Sequence, residues 1–358
     1  MLGVGIIAPL LPIYAEEMGA TGIWIGLIFS GFSITRAIFM PLFGKMSAKF
    51  GRRIFLLLGL LFFSILSLFY IWAPNTLSLF AVRLVHGIAA AMVIPIAQAA
   101  VGDMAPKGEE GRWMGYFNTS FLIGFGLGPV IGGVITDVYG MEGAFYFMGI
   151  LNFIAFILIL LLFRGEIKGK EETLKGIFGS KTARAIFGFR VAFASGRGIF
   201  FTFLPMMASL AGLSPSEVGI LLTINIIIMS VFQGLGGRLA DVSDRKLLII
   251  SGSLIIAIFL LMLPFFKSFL PLLLLSAFGG IGGALCLPSA SALMVEEGRV
   301  YGMGSSMSLF NISMSIGIGI GPVLGGVVND FLGLDEVFYL SAFIMLTGVF
   351  VFYYLIRD

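Results

Sequence analysis

Three arginines lie far inside apolar stretches of this chain: Arg36, Arg83 and Arg197. A guanidinium stays charged at any physiological pH and carries five N–H donors in a planar fork. In an apolar medium it therefore needs an anion, a carbonyl oxygen or a water-filled cavity. No Asp or Glu lies comparably deep, because Glu16, Glu17 and Asp103 stand at the ends of apolar runs. This pattern offers recognition of an anionic or neutral amphiphilic molecule more readily than of a cation, which wants a buried carboxylate. The blander reading is that the arginines bond backbone carbonyls between helices. His86, the single histidine, follows Arg83 by three residues and so falls near the same helical face. It reads either as a hydrogen-bonded core group or as a titrating one. Arg83, His86 and Asp103 are the candidates for proton coupling; Asn118 and Asn311 join the three arginines as candidates for contact with a cargo.

Other chemistry is excluded by spacing. One cysteine, Cys286, permits neither an internal disulfide nor a multi-cysteine metal site. Gly124-x-Gly126-x-Gly128 lies within an apolar run rather than after a strand, so it is no dinucleotide fingerprint. Gly44-Lys45 lacks the upstream glycine and the adjacent Ser/Thr of a phosphate loop. No nucleophile–base constellation is present. An enzyme is not expected, nor a cofactor, a bound metal or a nucleic-acid partner.

The elements that must position the arginines follow from composition. Of 358 residues, 59% are hydrophobic and 11% charged. A soluble domain carries about 25% charged residues, so this surface faces lipid. Runs such as 54–73 and 247–266 are long enough to cross a bilayer as helices. Twelve spans are predicted, at 1–17, 22–44, 53–73, 77–101, 112–137, 142–163, 184–209, 216–237, 246–266, 269–294, 301–329 and 335–356. Lys and Arg concentrate on one side, at Lys45, Lys49, Arg52, Arg53, in 164–184, and at 238–246; the other side has Lys267. That bias places the polar connector 164–183 and the C-terminus in the cytoplasm of a multi-pass cell-membrane protein. Nothing at the N-terminus reads as a cleaved signal peptide.

The chain is duplicated. Gly44 and Gly237, Pro12 and Pro205, Pro95 and Pro288, and Pro129 and Pro322 are each 193 residues apart. The stretch FNTSFLIGFGLGPVIGG from Phe117 matches FNISMSIGIGIGPVLGG from Phe310 at eleven of 17 positions. Two six-helix halves are expected, 1–163 and 184–358, flanking a shared cavity as in many secondary transporters. The seventh span has about ten residues whose counterparts would precede Met1. Either the natural start lies upstream, or the first helix is short.

Three motifs carry a resemblance to the major facilitator superfamily over essentially the whole chain. GRLADVSDRK, from Gly237 to Lys246, is similar to its cytoplasmic loop motif, in which Gly237 permits close helix approach and Asp241 pairs with Arg245 or caps a helix. The first-half loop keeps Gly44, Gly51, Arg52 and Arg53 but has Ala48 in place of the acid. The fifth span, with Gly115, Gly124, Gly128, Pro129, Gly132 and Gly133, resembles the motif of the drug/proton antiporter-type exporters; Gly321 and Pro322 repeat its centre. Glycines four apart line one helical face and admit a neighbouring backbone. Arg83-x-x-x-Gly87 resembles the family's fourth-helix motif, whose arginine is implicated in proton coupling.

The resemblance implies an all-α membrane transporter working by alternating access, with spans 1, 4, 7 and 10 lining the cavity. Proton-coupled export of a small amphiphilic solute by a monomer is the expectation. An organic-anion importer using Arg36, Arg83 and Arg197 is the alternative. A non-transporting receptor or scaffold is the alternative of another class.

Overall fold

A computed structural model describes residues 1–104, 110–163, 177–301 and 303–356, without the side chains of 102, 110–115, 118, 299, 303–305 and 308. Most of the connector, 164–176, the surroundings of Gly115 and the side chain of Asn118 thus lie outside what is described. The described chain forms eleven α-helices: α1 Leu2–Glu17, α2 Gly22–Phe50, α3 Arg52–Ile71, α4 Thr76–Met104, α5 Glu110–Leu162, α6 Lys181–Leu210, α7 Pro215–Val242, α8 Arg245–Met262, α9 Phe269–Tyr301, α10 Met303–Phe331 and α11 Leu334–Ile356. Helix α5 has 53 residues, roughly 80 Å of rise, enough to cross a bilayer twice. It turns back at Gly140, where φ 74 and ψ 177 leave helical space. Its two limbs are the fifth and sixth spans, so the fold has twelve spans in two six-helix halves.

Backbone geometry repeats with the sequence. Gly19 (φ 79) and Gly212 (φ 84) end the first helix of each half, and Gly140 and Gly333 (φ 120) join the last two spans of each. Both pairs are 193 residues apart, and each needs the left-handed φ that glycine alone adopts cheaply.

Helix α1 has 16 residues, against 30 for α6, its counterpart in the second half. Helix α6 is almost wholly enclosed by protein, whereas α5 presents most of its apolar surface outward. Exposed side chains such as Leu162, Phe343 and Phe350 form the lipid-facing shell. Contacts between halves run mainly through two helix pairs, α2 with α10 and α5 with α7.

Candidate functional site

The glycines of α5 and α10 determine how these helices pack. A Cβ on Gly128 would lie 2.5 Å from the Gly5 Cα, and one on Gly132 would lie 2.7 Å from the Ile6 carbonyl oxygen. The stripe therefore seats α5 on α1. In the second half Gly317 and Gly321 meet Val191 and Ser195 of α6 in the same way. The last glycine of each motif turns to the other half: Gly133 abuts Pro215 of α7, and Gly326 abuts Gly22 of α2. Gly26 meets the Pro322 carbonyl, and Gly219 meets the Pro129 carbonyl. Backbone rests on backbone at both places, and one end of the molecule is closed.

Two carboxylates fasten that end. Asp330, at the end of α10, accepts hydrogen bonds from the backbone N–H groups of Gly22, at 2.5 Å, and Ile23, at 2.8 Å. Helix α2 has no side-chain cap from its own N-cap residue, Thr21. Asp330 supplies that cap from the opposite half, at the positive end of the helix dipole. Its counterpart Asp137 accepts one bond from Ser216 N–H, at 3.2 Å, at the start of α7. Proline 215 replaces Gly22 there and has no N–H to give. Helix α7 is already capped by its own box of Ser214 and Glu217.

At the other end the loop motifs behave differently from expectation. Among the described residues nothing lies within 4 Å of a Cβ placed on Gly237, where close helix approach is expected, or on its repeat partner Gly44. Arg245 does not pair with Asp241, which is exposed; it pairs with Glu296 of α9 and donates to the Ala240 carbonyl at 2.9 Å. Asp103, at this end of α4, forms a 2.9 Å ion pair with Arg52. These two pairs are again repeat partners, 52 with 245 and 103 with 296. The motif basic residues tie α3 to α4 and α8 to α9 within each half. Gly51, with φ 99, makes the one-residue turn between α2 and α3.

The interior holds four guanidiniums, not three. In the first half, Arg83 donates to the Ile28 carbonyl at 3.2 Å and lies over Phe32 at 4.5 Å. Gly87, one turn on, lets α4 approach the Phe32 carbonyl and Thr35 of α2. Arg36 shares Phe32, at 5.6 Å. His86 has no exposed surface; its Nδ1 is 2.6 Å from the Tyr70 hydroxyl, and Phe63 meets it edge-on at 4.3 Å. In the second half, Arg197 donates to the Met229 sulfur at 3.2 Å and lies 5.1 Å from the Phe201 ring. A cavity of about 20 Å³, room for one water, adjoins it between Phe193, Phe200, Asn225 and Phe259. The fourth guanidinium, Arg190, is 7% exposed and escaped the sequence reading. It donates to the Met314 sulfur at 3.3 Å and stacks on Phe310 at 4.1 Å. Its spacing of seven from Arg197, two turns on one face, was the available signal.

Buried nitrogens on Arg36, Arg83 and Arg190 have no hydrogen-bond partner, and no ion pair involving these arginines is present among the described residues. The structure thus gathers Arg36 with Arg83, and Arg197 with Arg190. It leaves Asn311 exposed on α10 and His86 sealed in an aromatic box.

The sequence profile described as the Major Facilitator Superfamily matches residues 1–192 and again 186–358. The chain belongs to this family: it is a multi-pass membrane transporter and not an enzyme. It is 31% identical over 361 residues to the "Uncharacterized MFS-type transporter MJ1560" of Methanocaldococcus jannaschii, covering 98% of this chain and 93% of that one. It is 27% identical to "Multidrug resistance protein 2" of Bacillus subtilis, covering 97% of this chain and 90% of the relative. Among solved structures, a bacterial homolog of the human lysosomal transporter Spinster superposes with a TM-score of 0.84 at 14% identity, covering 99% of this chain and 94% of that one.

Proposed function

We propose that the chain exports a small amphiphilic solute in exchange for protons, by rocking two halves, 1–163 and 184–358, about a site between them. The observation that carries the reading is the unequal state of the two ends. Backbone-on-backbone contact and two carboxylate latches hold one end shut, while the loop-motif glycines of the other end stand clear of the other described residues. A carrier caught with one end closed is one state of an alternating-access cycle. With the connector 164–183 in the cytoplasm, as the Lys/Arg bias indicates, the shut end faces outward and cargo enters from the cytoplasm.

The direction draws support from the exporter-type glycine motif in α5 and from the relative named for multidrug resistance. Arg83 is the group we assign to proton coupling, with Arg36 and Arg197 in cargo contact. The test is flux in proteoliposomes of defined orientation, with and without an imposed pH gradient. Outward movement of solute that accelerates with the gradient supports the reading. Inward uptake supports the importer instead, and no flux under either condition supports a receptor or scaffold.

A further inference from the structure

The second half contains a site that the three-arginine reading does not describe. Helix α6 carries Arg190 and Arg197 seven residues apart, roughly 10 Å along one face. Both guanidiniums flank the same ring, Phe193, each 5.9 Å from its centroid. Among the described residues their hydrogen-bond acceptors are thioether sulfurs, Met314 for Arg190 and Met229 for Arg197. A thioether is a weak acceptor, and one bond to it leaves most of the five N–H donors of a guanidinium unused. Charge in such surroundings is costly and persists where something pairs with it.

Aromatic surface leads up to this face. Phe117, Phe121 and Phe125 recur every four residues along α5, with centroids 6.5 and 6.4 Å apart. Phe125 then meets Phe201 of α6 at 5.8 Å, and Arg197 lies against Phe201. A continuous aromatic path from the first half therefore ends at the Arg197 guanidinium in the second, and the buried nitrogen without a partner lies one rung further, on Arg190. The repeat partner of Phe117 is Phe310, the ring that stacks on Arg190. The duplicated aromatic position thus begins the path in the first half and covers Arg190 in the second.

We propose that Arg190 and Arg197 form a two-rung anion site, taking the acidic group of an aryl carboxylate, sulfonate or phosphate while its rings lie along the phenylalanine path. The site deepens the carrier reading and rests on it for the cargo's passage, although binding itself does not require transport. Arg197 borders the one-water cavity, which has to widen between its phenylalanine walls to admit the acidic group, and is the first rung; Arg190 is the second. A planar fork suits an acid with two oxygens, and a lysine keeps the charge while losing the fork.

The experiment uses the full chain in lipid nanodiscs, equilibrium dialysis, and three matched probes: naphthalene-2-sulfonate, neutral naphthalene-2-sulfonamide and cationic 2-naphthylmethylammonium. The sulfonate is expected to bind at least tenfold tighter than the sulfonamide, and the cation weakest. Arg190→Gln and Arg197→Gln should each weaken the sulfonate about tenfold, the scale of one charge-assisted contact, and leave the sulfonamide unchanged. Arg190→Lys should fall between wild type and Arg190→Gln. The melting midpoint of empty Arg190→Gln should not fall, since a sulfur and rings are all the charge loses. Equal binding of the sulfonate and sulfonamide, or preference for the cation, would overturn the site. So would sulfonate affinity untouched by Arg190→Gln, or affinity for both probes lost in step with the melting midpoint. Specific sulfonate binding without outward flux supports the site and tells against the export reading.

Discussion

The two carboxylate latches are repeat partners with unequal jobs, so removing each should open the closed end by a different amount. Asp330 accepts two backbone N–H groups and is the cap of a helix that lacks one of its own. Loss of an N-cap costs about 0.5–2 kcal/mol. Both aspartates are exposed, so solvent screening puts the value for Asp330→Ala near ~1 kcal/mol. That shifts the closed-to-open ratio roughly fivefold. Asp137 accepts one longer bond at a helix with its own capping box. For Asp137→Ala about half that energy is expected, a shift of roughly twofold. The latches have no shared partners, so the double variant should combine the two factors. Spin labels at Leu77→Cys and Leu270→Cys, exposed repeat positions beside this end, report its width in a Cys286→Ser background. The populations of short and long label distances then give the ratio. Equal opening by the two single variants, or an unchanged distance distribution in Asp330→Ala, would refute the reasoning.

Gly128→Leu should abolish transport or folding, because its side chain would enter the backbone of α1 at Gly5, whereas Gly44→Leu has open space and should leave the melting midpoint unchanged. Comparable expression and flux for both would contradict the packing. Asp241→Asn should not alter the melting midpoint of this state, because its carboxylate is exposed and Arg245 is engaged by Glu296; a slowed flux in that variant would report a contact made in the opposite state. His86→Gln should leave the pH profile of transport in place while lowering the melting midpoint, since the imidazole is boxed by Phe63 and bonded to Tyr70. A pH profile flattened by His86→Gln would return the histidine to a coupling role.

Much of the fold was legible because bilayers impose simple lengths and because the duplication repeats its punctuation. The apolar runs locate the spans, and the 193-residue offset pairs Gly128 with Gly321. The offset says which residues are equivalent, but not which helix of one half meets which of the other. The grip of Asp330 on α2 and of Asp137 on α7 is therefore not readable from sequence. The same limit hid Arg52–Asp103 and Arg245–Glu296, whose members are 51 residues apart in both halves. Arg190 was passed over because it lies six residues from Arg184, close enough to a span end to look ordinary. Only the enclosure of α6 turns it into a buried charge. The loop glycine Gly237 reads as a close-packing site because sequence carries no information on which state a carrier occupies.

The turns at Gly19, Gly140, Gly212 and Gly333 have a consequence for anyone handling the protein. At Gly140 and Gly333 one or two residues reverse the chain between full-length helices, so that face presents almost no slack backbone there. A protease needs an extended segment to thread its cleft, and an antibody needs a protruding one to grip. This face should resist both in intact membranes. An epitope inserted at either glycine would have to displace a left-handed residue on which two helices turn.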